Sequence, residues 1–579
     1  MTLVRPFRYA AAATFAVALA ATTFLTAPTV QASENAGAYL AARQALLDNR
    51  FEEATTYLTQ ALIADPQNVV LMENLALAQL ATGEIERAIS PAQQIEELGL
   101  RSQIANIVIT AGLVLAEDFD ALSDRDNEDQ GISPLVDGLV KGWALMGQGK
   151  VSLALAQFDK VAEEKGLRGF AVYHRALAQA MVGDYEGAEA LFAADGEALT
   201  RTSRRAGISR AQILSQLGQN DKALGVLTGV FGTAFDPGLQ DLADRLSEGE
   251  TVPFSIAPTV SDGLAEVFFT LGSVLQGETA DDYALLYART ALALRKDHVD
   301  AILLTAELLD SLGQFDLSVS VYKQIPKDDP DYHAAELGRA EALRRAAKPD
   351  AAIEVLEHLS RDLPELPVVH SALGDLQRQQ ENYAAAVAAY DRALEFSDEK
   401  AESNWFVLYA RGISHERLKS WPQAEADFRA ALELRPDQPQ VLNYLGYSLV
   451  EKRIKLDEAL NMIERAVAAR PDSGYIVDSL GWVLYRLGRY EEAVEPMERA
   501  VELMPVDPIV NDHLGDVYWA VGRYREAEFQ WSRALSFVDP EEFDDEVDPD
   551  RIRRKLEVGL DLVLDEEGAP PLRVADEDG

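Results

Sequence analysis

Few side chains in this sequence have the types and spacing that catalysis or metal binding requires. His333, His358 and His370 are the only histidines that lie close to one another in sequence. Two facing helices could bring their imidazoles together as zinc ligands, but no carboxylate at ligand spacing accompanies them, and histidines with a purely structural role are more common. We therefore expect these three residues to be structural.

The other candidate sites fail on spacing. The acidic stretch 126–131, followed by Asp137, half-matches a calcium loop, but its third and fifth positions are wrong and Asp replaces the usual final Glu. We expect a solvated insertion there. Residues 147–150 resemble a phosphate loop only superficially, and the sequence has no Walker, dinucleotide-binding, nucleophile-elbow or H-E-x-x-H motif. The sequence therefore predicts no enzyme and no cofactor.

Composition narrows the classes of partner. The chain has no cysteine, which excludes disulfides, thiolate metal sites, a cysteine nucleophile and lipid attachment at cysteine. Its 53 Lys and Arg against 96 Asp and Glu give a net charge of −43. An anionic surface of this size keeps a protein soluble, and it repels phosphate backbones and anionic lipid head groups. We therefore expect no nucleic-acid partner.

The first 32 residues have the pattern of an export signal. Arg5 and Arg8 precede an apolar run over 9–25, and the segment V-Q-A at 30–32 is a small-residue cleavage site. An uncleaved membrane anchor is the alternative, since the run is about the shortest that spans a bilayer. We expect cleavage after Ala32, a periplasmic mature chain and no stable membrane insertion.

The elements that must position any binding residue repeat along the chain, most clearly over 439–541. Each of three repeats has Leu-Gly in its first half, then an alanine, a bulky residue and a second alanine. These are Leu445-Gly446, Ala459, Ile463 and Ala466; Leu480-Gly481, Ala493, Met497 and Ala500; and Leu514-Gly515, Ala527, Trp531 and Ala534. The period of about 34 residues matches the tetratricopeptide repeat, a helix-turn-helix in which small residues let the two helices approach closely.

The same frame can be followed through most of the chain. It predicts an all-α fold, a right-handed superhelical solenoid of helix pairs in which each repeat buries its apolar face against its neighbours. The predicted organisation is a signal peptide (1–32), an N-terminal array (33–237) with a degenerate repeat at 103–134, a linker (238–264), a C-terminal array (265–541), a capping helix (542–567) and a loose acidic tail (568–579).

Resemblance to this family implies that certain positions of each first helix face a concave groove. The residues at those positions in the C-terminal array are Phe406, Tyr409, Asn443, Tyr447, Tyr475, Asp478, Trp482, Tyr485, Asp512, Asp516 and Trp519. Aromatic rings flanked by a few acids suit a protein or peptide segment with apolar and basic side chains. The alternative is that these rings pack on neighbouring helices or line a closed superhelix.

A narrower resemblance covers about 439–536. The segments 443–448, 478–482 and 513–516 are similar to those of proteobacterial envelope tetratricopeptide proteins, some of which are outer-membrane lipoproteins. That resemblance implies an adaptor that presents cell-wall hydrolases to a carboxyl-terminal processing protease. This chain lacks a lipobox cysteine, so it would be soluble in the periplasm. The alternative function is a scaffold subunit of an exopolysaccharide or secretion assembly.

Overall fold

The computed structural model describes residues 34–125, 129–202, 204–232, 235–538 and 547–572. The predicted signal peptide, part of the acidic stretch 126–131, the start of the predicted capping segment and most of the acidic tail lie outside these ranges. Within the described part, 31 helices and no strands are present, which confirms the all-α fold. None of these described helices is long and apolar enough to cross a membrane. The chain divides into two compact units, and the division falls between Ala352 and Ile353 in the sequence.

The first unit is built from helix pairs that pack in chain order. Its helices are α1 (Glu34–Leu47), α2 (Phe51–Ala64), α3 (Val69–Ala81), α4 (Ile85–Glu97), α5 (Gln103–Leu115), α6 (Phe119–Asp124), α7 (Pro134–Gly147), α8 (Val151–Ala162), α9 (Arg168–Met181), α10 (Tyr185–Thr202), α11 (Arg204–Gln216), α12 (Asn220–Phe231), α13 (Pro237–Ser247), α14 (Val260–Leu275), α15 (Asp281–Leu294), α16 (Val299–Ser311), α17 (Phe315–Tyr322) and α18 (Tyr332–Arg345).

The boundary between the units lies within α19 (Pro349–Asp362). The second unit continues with the same pairing of helices. Its helices are α20 (Pro367–Gln379), α21 (Tyr383–Glu395), α22 (Asn404–Arg417), α23 (Trp421–Leu434), α24 (Pro439–Glu451), α25 (Leu456–Ala469), α26 (Gly474–Arg486), α27 (Tyr490–Leu503), α28 (Pro508–Ala520), α29 (Tyr524–Phe537), α30 (Pro549–Val558) and α31 (Leu560–Glu566).

The Leu-Gly pattern has a direct packing reason in the second unit. A Cβ added at Gly481 would lie 2.5 Å from Cγ of Met497, and one added at Gly446 would lie 2.8 Å from Cγ1 of Ile463. The glycine of each first helix therefore makes room for the bulky residue of its second helix. Between the paired helices α26 and α27, Gly488 has φ +76°, a left-handed conformation that glycine adopts without steric cost.

The first unit closes on itself, which the repeat frame did not predict. Helix α14 packs against α7 and α9, and α15 packs against α3 and α5. Gly263 permits this approach, because a Cβ there would overlap the indole of Trp143. The Nε of Arg289 donates a hydrogen bond of 2.8 Å to the carbonyl oxygen of Ala81 at the end of α3. The early repeats of this unit are thus covered by helices of their own chain.

A buried ionic cluster holds this closure together. Glu266 on α14 is 1% exposed and accepts hydrogen bonds from Nε of Arg205 at 2.8 Å and from the hydroxyl of Tyr173 at 2.8 Å. Nε2 of His298 lies 3.4 Å from the same carboxylate, and Arg205 also pairs with Asp300. Burial by itself would raise the pKa of Glu266, but Arg205, His298 and Tyr173 lower it to about 2. Glu266 is therefore ionised and neutralised inside the unit.

Residues 238–264 differ from the predicted linker. Helix α13 occupies the first part, where the sequence indicates a short helix up to about Ser247. The difference lies in the extended segment after it, which is packed, with Val252 and Ile256 buried. Nε2 of Gln216 donates to the carbonyl oxygen of Val252 at 2.6 Å. Pro and Gly interrupt the helical pattern here, as they do in linkers. The apolar side chains between them are buried, however, so the segment is packed against the rest of the first unit. The division into compact units comes later, at Ala352.

The segment predicted as one capping helix over 542–567 forms two helices in its described part. They meet at Gly559, which has φ +83°, and a Cβ at this position would overlap the indole of Trp519. Both the backbone conformation and the close approach require glycine. The sequence places Ile552, Leu556, Leu560 and Val563 in one apolar stripe. Ile552 and Leu560 are buried, and the stripe is divided between α30 and α31.

The repeat predicted to be degenerate, 103–134, has a first helix of 13 residues and a second of only six. Asp137, the final residue of the half-matched calcium loop, accepts a hydrogen bond from the backbone N–H of Ile132 at 2.8 Å. Nδ2 of Asn106 donates to the carbonyl oxygen of Gly131 at 2.8 Å. In the described part of this insertion, these two polar side chains therefore bind backbone groups.

Candidate functional site

An open groove lies among the first helices of the second unit. It has a volume of about 370 Å³ and is bordered by α22, α24, α26 and α28. Four of the predicted binding residues line it, namely Asn443, Tyr447, Tyr475 and Asp478. We call this concavity, with all the residues that line it, the open groove. The repeats bring these residues together because each occupies an equivalent face of successive first helices.

The walls of the open groove are aromatic and apolar. Tyr444, Met504 and Ile509 line it together with Tyr447 and Tyr475. The side chain of Tyr475 is 52% exposed, which is unusual for a ring at the centre of a helix array. A large, half-exposed ring beside a concavity is the kind of residue that anchors a protein partner.

Phe406 and Tyr409 do not line the open groove. Tyr409 belongs to an aromatic cluster, with ring centroids 5.8 Å from Tyr444 and 6.1 Å from Phe428. Burial raises its pKa to about 12, and the neighbouring Tyr475 adds to the effect. Phe406 is 42% exposed and contacts Trp405. These two residues therefore support or flank the groove, and only Phe406 presents much surface.

Charged side chains at the groove are largely paired within the protein. Glu416 lies 3.8 Å from Lys452. Glu451 accepts a hydrogen bond of 2.8 Å from the indole N–H of Trp482 and lies 3.6 Å from Arg486. These exposed or half-exposed pairs contribute little to stability. They leave acidic oxygens at the rim, where a basic side chain of a partner can compete for them.

The amide oxygen of Asn443 is the groove's unsatisfied polar atom. It is buried and accepts no hydrogen bond from the described part of the chain. Leaving a buried acceptor unpaired costs about 1–3 kcal/mol. The oxygen is closed to solvent, so a segment bound in the groove does not reach it without a shift of the Asn443 side chain.

Trp482 and Tyr485 are not open to a partner, contrary to the prediction that they line the groove. Trp482 is only 9% exposed; its ring stacks on His513 at 3.9 Å and on Tyr485 at 4.9 Å. His513 in turn lies 3.1 Å from Asp478. Burial alone would lower the pKa of His513, but Asp478, with smaller contributions from nearby acids, raises it above its ordinary value. The alternative of packing on a neighbouring helix is correct for these rings.

Asp512 and Asp516 are also occupied, by a residue that the sequence did not single out. Lys555 on α30 has no exposed surface, and its Nζ lies 2.8 Å from Asp512 and 2.6 Å from Asp516. The indole N–H of Trp531 donates to Asp516 at 2.9 Å. The capping helices therefore cover this end of the array. The sequence signal was a lysine next to the apolar stripe that begins at Ile552.

Trp519 lies in a different cleft, bordered also by Tyr490 and Tyr524, with a volume of about 470 Å³. We call this surface the aromatic cleft. Its lining residues do not include those of the open groove. Of the eleven predicted residues, four line the open groove, Tyr409, Trp482 and Tyr485 pack in aromatic clusters, Asp512 and Asp516 lie under α30, and Trp519 lies in the aromatic cleft. Phe406 is exposed outside both concavities.

Two of the three histidines considered as zinc ligands, His333 and His370, have structural partners. Nδ1 of His333 lies 3.0 Å from the carbonyl oxygen of Pro330, and Nε2 of His370 lies 2.8 Å from that of Pro364. Across the described ranges, no three His, Cys, Asp or Glu side chains are placed to hold a metal ion. Both histidines therefore bind backbone at the starts of their helices.

Comparisons with known proteins find several similar repeat-containing proteins. A TPR repeat-containing protein of Pseudomonas aeruginosa is 26% identical over 164 residues, which are 28% of this chain and 26% of that protein. The chain thus matches about a quarter of that relative's length. A chain of the APC/C hetero-tetramer Cut9–Hcn1 has 15% identity and a TM-score of 0.37, covering 94% of this chain and 99% of its own. MamA of Desulfovibrio magneticus RS-1 has 20% identity and a TM-score of 0.27, covering 30% and 94%.

Both TM-scores are below 0.5, so the family assignment rests on the repeats themselves. The sequence pattern of the tetratricopeptide repeat family matches residues 39–99, 139–196, 303–367, 337–403, 409–454 and 452–508. These segments make up more than half of the sequence. The chain belongs to the tetratricopeptide repeat family, whose repeats form scaffolds that bind other proteins.

Proposed function

We propose that this protein is an exported scaffold that binds other proteins through the open groove. The observation that carries the proposal is the half-exposed ring of Tyr475 in a groove whose walls are aromatic and apolar. An aromatic anchor of this kind can supply much of the free energy of binding at an interface. The occupant is a protein segment with apolar and basic side chains.

The charge of the protein supports a basic occupant. With a net charge of −43, the chain attracts cationic partners over a distance and repels anionic ones. Lys555 gives an internal example, because two aspartates of a first helix enclose its ammonium group. Acids at the groove rim, such as Glu416 and Glu451, offer the same chemistry at a more exposed place. A lysine or arginine in the partner would bind there.

The apolar part of the occupant follows from the groove walls. Tyr444, Tyr447 and Tyr475 provide large ring surfaces, and Met504 is an adaptable apolar side chain. The volume of about 370 Å³ suits a short stretch of side chains. Within the envelope, the resemblance over 439–536 supports an adaptor that holds a cell-wall hydrolase for a carboxyl-terminal processing protease.

Export is part of the same proposal. Its support is the order of Arg5 and Arg8, the apolar run over 9–25 and the small residues at 30–32. The mature protein is expected in the periplasm, beginning at Ser33. N-terminal sequencing of protein purified from the cell envelope measures this directly. Recovery of Met1 at the N-terminus would contradict cleavage.

Tyr475→Ala is expected to remove the main partner while leaving the fold intact. Truncating a central aromatic anchor can cost about 2–4 kcal/mol of binding free energy, or about 30-fold or more in affinity. Because half of the Tyr475 side chain is already exposed, the melting temperature should change little. The measurement is affinity capture from an envelope extract with isotope-labelled quantification of each captured protein.

Tyr524→Ala is the matched control for this experiment, since Tyr524 is also 52% exposed but lies in the aromatic cleft. A protein captured by the native chain and by Tyr524→Ala, but lost with Tyr475→Ala, is the groove partner. If both variants capture the same proteins as the native chain, the open groove is not the binding site.

A further inference from the structure

The aromatic cleft is a second concavity of the second unit, and the open groove does not explain it. It lies where the turn between α26 and α27, the end of α28, the start of α29 and α31 come together. Rings of Tyr490, Trp519 and Tyr524 line its volume of about 470 Å³. Three aromatic rings, from three helices of two successive repeats, thus line one cleft.

Two of these rings are held at an angle to one another. The centroids of Trp519 and Tyr524 are 4.5 Å apart, and their planes meet at 63°. The indole N–H of Trp519 donates a hydrogen bond of 2.9 Å to Asp561 on α31. Gly559 packs closely against Cζ2 and Cη2, in the six-membered ring of the same indole. Trp519 also packs on Trp531 at 5.3 Å, and Tyr490 packs on Tyr485 at 5.4 Å, so these rings are held in place at the wall of the cleft.

The charges around the cleft favour a cation. Glu491 and Asp561 line it, and neither forms an ion pair with the described part of the chain. Arg489 also lines the cleft, but its guanidinium is engaged by the carboxylate of Glu492. The carboxylates of Glu491 and Asp561 therefore make the electrostatic potential at the rings negative. Aromatic ring faces carry a negative quadrupole that attracts cations within about 6 Å.

The choice among cations follows from hydration. A metal ion needs several oxygen ligands in a close shell, which ring faces do not supply. A primary ammonium is strongly hydrated and needs hydrogen-bond acceptors for each of its protons. A quaternary ammonium has no N–H to satisfy and an apolar surface that ring faces can cover. It is the cation that three rings and two nearby carboxylates fit best.

We propose that the aromatic cleft binds a quaternary ammonium ion, of the type carried by choline. Tyr490, Trp519 and Tyr524 cover its methyl groups, and Glu491 and Asp561 neutralise its charge from the edge of the cleft. The site does not depend on the protein-binding function proposed for the open groove. The scaffold would thus have a small-molecule site within the same repeats.

The test is saturation-transfer NMR on the methyl protons of choline, added to the full mature chain at constant ionic strength. We expect saturation to pass to choline, with a dissociation constant in the millimolar range or tighter. Dimethylbutanol, the neutral molecule in which carbon replaces the nitrogen of choline, should bind about fivefold more weakly or worse, because it lacks the cation–π attraction. Equal binding of both compounds would show an ordinary apolar cleft and overturn the proposal.

Three variants locate the site. Tyr524→Ala should weaken choline binding about fivefold or more, and Tyr524→Phe should retain it because the ring remains. Tyr475→Ala, of equal exposure but in the open groove, should have no effect. If Tyr524→Ala binds choline as the native chain does, or if no saturation reaches choline at concentrations up to about 10 mM, the cleft is not a quaternary ammonium site. If choline does not bind, the affinity-capture experiment with Tyr475→Ala is unaffected. The two proposals can therefore be tested separately.

Discussion

Glu266→Gln is expected to destabilise the first unit by about 3–5 kcal/mol, the usual cost of breaking a buried ion pair from one side. The substitution keeps the size of the side chain but removes the negative charge that Arg205 and its neighbours share. The glutamine also turns an amide N–H₂ group, which is a donor, toward the donor groups of Arg205 and Tyr173. Because these partners come from α9, α11, α14 and α16, amide hydrogen exchange should accelerate in all four helices.

Glu278→Gln is the control, since Glu278 is exposed just after α14. It should leave denaturation and exchange unchanged. Native-like stability of Glu266→Gln would show that the buried cluster does not hold the closure of the first unit.

The same cluster makes a prediction about pH. The folded-state pKa of Glu266 is about 2, below its ordinary value of 4.5, so ionised Glu266 stabilises the folded unit at pH above about 4.5. This contribution should be lost as the pH falls from 4.5 toward 2. The Gln variant lacks the titrating group, so the difference in unfolding free energy between it and the native chain should shrink over that range.

Gly481→Leu is expected to cost about 3 kcal/mol or more, at the upper end for overpacking. A Cβ at this position would already lie 2.5 Å from Cγ of Met497, and the rest of the leucine side chain would force α26 and α27 apart. Repeats contact mainly their neighbours, so the damage should be greatest from α24 to α29. Hydrogen exchange resolved by peptide measures both the size and the extent of the change.

Two further variants separate overpacking from other effects of leucine. Ser532→Leu adds the same side chain at an exposed site on α29 and should be nearly neutral. Met497→Ala combined with Gly481→Leu removes the group that the new side chain meets, so it should be more stable than Gly481→Leu alone. Equal loss of protection throughout the described helices would contradict local propagation.

The sequence could predict features that repeat and that depend on near neighbours. Gly446 and Gly481 were recognisable because each must lie against a bulky residue of its own repeat, a contact fixed by spacing. The helices and the six-residue α6 in the degenerate repeat follow from the same local pattern. These contacts join residues separated by one helix and one turn.

The sequence could not show contacts between distant parts of the array. Nothing in the repeat frame requires Gly263 to meet Trp143 or Arg289 to meet Ala81, because these pairs depend on where the chain turns back. For the predicted binding residues, the repeat pattern indicated which face of each helix they occupy. It did not show which residues of other helices cover that face. Trp482 is covered by the next repeat, so only part of the predicted surface is open.

The open groove accounts for protein binding only if a partner lies directly against Tyr475. A photo-crosslinking amino acid placed at position 475 tests this in cells, with position 529 as the comparison, because Phe529 is 61% exposed on α29. Illumination should join position 475 to one discrete partner, identified by mass spectrometry, and position 529 should yield none of it. The absence of a product at 475, or the same product at both positions, would contradict a binding groove in the second unit.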